Sequence, residues 1–82
     1  MKYKYDPEMF NGISNLSEEL SVFYTLLDQY EEEKSTRNKL FLQKHGDDLF
    51  FTIKHRELEG CLSKTAAEEL RMYMRELLYD RL

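Results

Sequence analysis

Residues 39–56 read KLFLQKHGDDLFFTIKHR, and the conformation of this run decides what the rest of the chain can be. Taken at every second residue, Leu40 and Leu42 before His45-Gly46-Asp47-Asp48 and Leu49, Phe51 and Ile53 after it are apolar. That is the period of a half-buried strand, and Gly46-Asp47 supplies a two-residue turn with glycine in first place, as the type II′ geometry asks. With His45 opposite Asp48, Leu42 faces Phe51 and Leu40 faces Ile53. One face of the ribbon then carries Leu40, Leu42, Leu49, Phe51 and Ile53 and must be covered. The other carries Lys39, Phe41, Gln43, His45, Phe50, Thr52, Lys54 and Arg56. The stretch is expected to form a β-hairpin.

Helical periodicity flanks it. Leu16, Leu20, Phe23, Leu27 and Tyr30 recur at steps of four and three, widened by Tyr24, which is the stripe of an amphipathic helix. Asn15-Leu16-Ser17-Glu18 has capping-box form at its start, and Val22 and Leu26 lie off the stripe. Beyond the ribbon, Leu58, Cys61 and Leu62 are buried candidates and Gly60 marks a bend or bulge. Ser63 or Thr65 then caps a last helix whose stripe is Ala67, Leu70, Met74, Leu77 and Leu78. Residues 2–5 alternate again until Asp6-Pro7 stops any ladder. Residues 1–13 are therefore read as either a third, edge strand or a flexible segment that orders against a partner. The expected fold is one α+β domain over residues 1–82, in the order (β)αββα, with the antiparallel hairpin packed by two amphipathic helices.

Composition narrows the setting. A hydrophobic share of 41% favours a folded chain, and 34% charged residues favour a soluble one. No apolar run approaches the roughly 20 residues that span a bilayer, and MKYKYDPEMF lacks the apolar core of a signal peptide. Cys61 stands alone, without a disulfide partner. A cytoplasmic location is expected. Charge is uneven: residues 1–33 hold two lysines against eight carboxylates, whereas residues 34–64 hold seven cations against four carboxylates. The ribbon is the basic part of an acidic protein.

Catalysis needs groups gathered together with shifted proton affinities. His45 and His55 fall at opposite ends and on opposite faces of the ribbon, and nothing completes a Cys61–His55 nucleophile pair. The sequence has no Cys-x-x-Cys, no His-x-x-x-His, no Asp-rich ligand loop and no glycine-rich phosphate loop. No catalytic residue, cofactor or metal is expected, and the chain is read as non-enzymatic.

Binding remains. Phe41 and Phe50 lie together on the back of the ribbon amid Lys39, Lys54 and Arg56, with Tyr3 and Tyr5 extending that surface. Aromatic centres with a polar rim describe a protein-docking surface, and open sheet edges favour a homodimer pairing two hairpins into one four-stranded sheet. Glu31, Glu32 and Glu33 form a secondary acidic surface suited to a basic partner. The expected role is a small interaction protein, an inhibitor or regulator of another macromolecule. Very small, acidic, tyrosine-rich chains of this style are common among accessory proteins of phages and mobile elements. The alternative is a module that stacks single-stranded nucleic acid on the same aromatic and basic face.

Overall fold

Residues 39–56 are helical from end to end. They form the body of α2 (Thr36–Leu58), which lies between α1 (Leu16–Glu32) and α3 (Lys64–Arg81), with a short 3-10 turn (Pro7–Phe10) ahead of them. The computed structural model describes residues 2–81, and no strand occurs among them. The β-hairpin, its third strand and the α+β order (β)αββα are thus corrected to an all-helical bundle. The four-stranded sheet that motivated a homodimer has no counterpart in this fold.

The ribbon reading failed because residues 39–56 satisfy two periods at once. Leu42, Gly46, Leu49 and Ile53 are spaced by four, three and four, and all four are buried on one side of α2. Leu40 and Phe51, which the strand period placed on the covered face, are 60% and 68% exposed. Gly46 decides between the periods. A β-carbon there would lie 3.3 Å from Leu78 Cδ1 and 3.4 Å from Phe23 Cε1. The residue is small because α1 and α3 close on α2 at that point, not because the chain turns. A glycine inside a helix costs about 1 kcal/mol relative to alanine, and the close approach of both neighbours offsets it. Composition agrees: Thr36, Thr52 and Ile53 are the only β-branched residues of α2, against four Leu, three Lys, two Arg and one Gln.

Caps set the ends. Ser35 Oγ accepts from the Asn38 backbone N–H at 3.1 Å, so the 35–38 link starts a helix and does not lead into a strand. At the far end Gly60 has φ +83°, the Cys61 N–H reaches Arg56 O and the Gly60 N–H reaches Glu57 O. That pair of bonds is a Schellman motif, and Gly60 is its left-handed residue. Ser63 Oγ accepts from the Ala66 N–H and opens α3. The capping box expected at Asn15 does not form: Asn15 is itself left-handed, with no capping bond from its side chain.

The core lies where the stripes meet. Leu16, Leu20, Phe23, Tyr24, Leu27 and Tyr30 of α1 pack on the inner side of α2, with Ala67, Leu70 and Met74 of α3 closing the other flank. α2 packs extensively on both neighbours, whereas α1 and α3 touch little. The N-terminal segment bridges that pair. Tyr3 stacks on Tyr24 with centroids 4.0 Å apart, and Tyr5 meets Tyr73 edge-on at 5.3 Å. The Tyr24 hydroxyl donates to Tyr5 O, and the Lys4 N–H donates to the Tyr73 hydroxyl.

Candidate functional site

Helical geometry redistributes the residues singled out from the sequence. At about 100° per residue, the nine positions between Phe41 and Phe50 put them on opposite sides of α2. Phe41 lies under the Arg37 guanidinium, 5.4 Å from the ring centre. Phe50 faces α3 and lies beneath Arg75 at 5.7 Å. Lys39 is half-buried and Lys54 exposed, on the Phe50 side. Arg56 turns elsewhere: its Nε donates to Ser14 O at 3.0 Å, and its guanidinium pairs with Glu59. The aromatic and basic back face is dispersed.

The N-terminal tyrosines lie ahead of the 3-10 turn and dock on α1 and α3. Tyr3 is buried, its hydroxyl donating to Asp28 Oδ1 at 2.7 Å, and Tyr5 is half-buried against Phe10 and Tyr73. Lys2 bridges Asp28 at 2.7 Å and Glu31 at 3.3 Å, and these carboxylates, Asp28 foremost, hold its ammonium above the usual lysine range. Glu32 and Glu33 are exposed at the end of α1. Burial pushes the Tyr24 hydroxyl above the ordinary tyrosine range.

What the bundle does gather is a valley along the outer seam of α2 and α3. Its larger part, about 400 Å³, is lined by Phe50, Phe51, Lys54 and Leu58 from α2 and by Arg71 and Arg75 from α3. A continuation of about 230 Å³ shares Phe50 and Arg75 and runs on to Asp47, Leu78 and Tyr79. Arg71 is held by Glu57 at 3.1 Å, whereas Lys54 and Arg75 have no ion-pair partner among the described residues. Beside it, the outward side of α2 exposes Leu40, Phe41, Phe51 and Leu58. Reading by strand period missed Phe51 and Leu58 as surface groups. Leu40, Phe51 and Leu58, at steps of eleven and seven, trace one helical line opposite the core, and that spacing was the available signal.

Chemistry-bearing groups elsewhere stay apart. His55 stacks on Phe51, and His45 lies on the α1 side beside Glu18, Glu19 and Asp48. Ten residues of helix separate the two histidines, about 15 Å. Cys61 is exposed in the link to α3. Among the described residues no three His, Cys, Asp or Glu side chains are grouped to hold a metal ion, and no helix is long and apolar enough to cross a membrane.

No protein-family model, curated protein or solved structure matches this chain.

Proposed function

We propose that this chain is a small non-enzymatic interaction protein that docks another protein on the outward side of α2 and the adjoining valley. One observation carries the reading. A single helix buries Leu42, Gly46, Leu49 and Ile53 on one side while exposing Leu40, Phe41, Phe51 and Leu58 on the other. Scattered exposed apolar residues are ordinary, but four large ones on one helix beside a cationic groove form a patch that gains by being covered. The rigid bundle beneath them presents that patch with little ordering cost.

The test replaces Phe51 and Leu58 by glutamine, which keeps charge and helix propensity. The variant retains helical circular dichroism and the wild-type melting transition, and loses specific capture of a partner from the native host's extract together with any self-association that the wild type shows in sedimentation velocity. Wild-type behaviour of the variant in both assays refutes docking at this surface. Salt-sensitive binding of single-stranded DNA or RNA, lost in the same variant, replaces the protein-docking reading with nucleic-acid recognition.

A further inference from the structure

The valley between α2 and α3 carries information about its occupant. The valley is lined from α2 and α3 alone, so it is open to a further helix packed against both. From Gln43 to Leu58 it follows about 22 Å of helix, long enough for four turns of a partner. Phe50, Phe51 and Leu78 form an apolar floor. Among the described residues Lys54 and Arg75 form no ion pair, Asp47 lines the valley at the Arg75 end without bonding to it, and Arg75 rests on the Phe50 ring. A helix seated here buries an apolar stripe and places its flanking side chains against cations.

A second copy of the chain is poorly suited to that place. Its acidic helix is α1, with five carboxylates and no cation, but the apolar stripe of α1 is sealed in its own core and only Val22 of its large apolar residues is exposed. Resting on the docking reading, we infer that the occupant is an amphipathic helix of a different protein, with aspartate or glutamate flanking its apolar stripe. Apolar contact with the valley floor supplies most of the affinity, and the carboxylates fix orientation and selectivity against basic helices.

A displayed library of peptides of roughly 15 residues, about 22 Å as a helix, tests this against the full chain. Apolar residues are fixed at helical spacing, and the flanking positions are randomised between glutamate and lysine. Enriched peptides are expected to carry an excess of carboxylates, and Lys54→Glu with Arg75→Glu to weaken them about tenfold in fluorescence polarisation while favouring lysine-flanked peptides. Enrichment without a carboxylate bias, affinity unchanged by the double reversal, or no enrichment at all overturns the inference. Should Phe51→Gln with Leu58→Gln still abolish partner capture or self-association, only the occupant is wrong. Should that variant also behave as wild type, the docking reading falls with it.

Discussion

The two sides of α2 obey different rules. Inward, Leu42, Leu49 and Ile53 are fully excluded from solvent and Gly46 admits both neighbouring helices. Outward, Leu40, Phe51 and Leu58 are between 60% and 74% exposed, although they are as apolar as the residues inside. Hydropathy does not separate the two sets. Position on the helix does, since α1 and α3 approach from one direction and leave the other bare. The inner side holds the fold, and the outer side is free to do something else.

If that division is right, substitutions should separate by side. Leu49→Ala removes a side chain with no exposed surface and should cost about 3 kcal/mol, read as a lower midpoint in chemical denaturation. A loss below about 1 kcal/mol would mean that the inner side is looser than described. Gly46→Val comes next. Its branched side chain meets Leu78 and Phe23 and should destabilise by about 2 kcal/mol, whereas a valine at a hairpin-turn glycine would leave these helix contacts untouched.

Tyr24 is a polar member of the sealed side. Tyr24→Phe deletes the hydrogen bond to Tyr5 O and should cost about 1 kcal/mol. Its pH signature has a definite sign. Burial raises the hydroxyl's proton affinity in the fold, so ionisation favours the unfolded chain. The stabilisation is complete below about pH 10, where unfolded tyrosine titrates, and is lost as pH rises further. The phenylalanine variant should show a flatter decline in melting temperature over that alkaline range. Smallest of all, Phe51→Gln with Leu58→Gln should shift stability by no more than about 0.5 kcal/mol. A much larger change would place these two residues in the fold and remove the contrast between the sides.

How far the sequence reached differs by helix. In α1 the apolar residues follow only a helical period, and the stripe from Leu16 to Tyr30 is the buried face. In α2 the same residues fit alternation and helical spacing equally well, and Gly46-Asp47 mimics a turn. The candidate site inherited the error. Phe41 and Phe50 are near neighbours in a ribbon and opposed in a helix, while Arg71 and Arg75 enter the valley only because α3 folds back beside α2.

The amino-acid sequence alone determined the amphipathic stripes of α1 and α3, a bend at Gly60, a cap at Ser63 or Thr65 and the uneven charge, because each depends on neighbours a few residues apart. Only the tertiary structure decided that Gly46 sits at a helix crossing and that Phe51 faces water. Those outcomes depend on Phe23 and Leu78, residues distant along the chain, which close on α2 at Gly46 and leave little room there for a larger side chain.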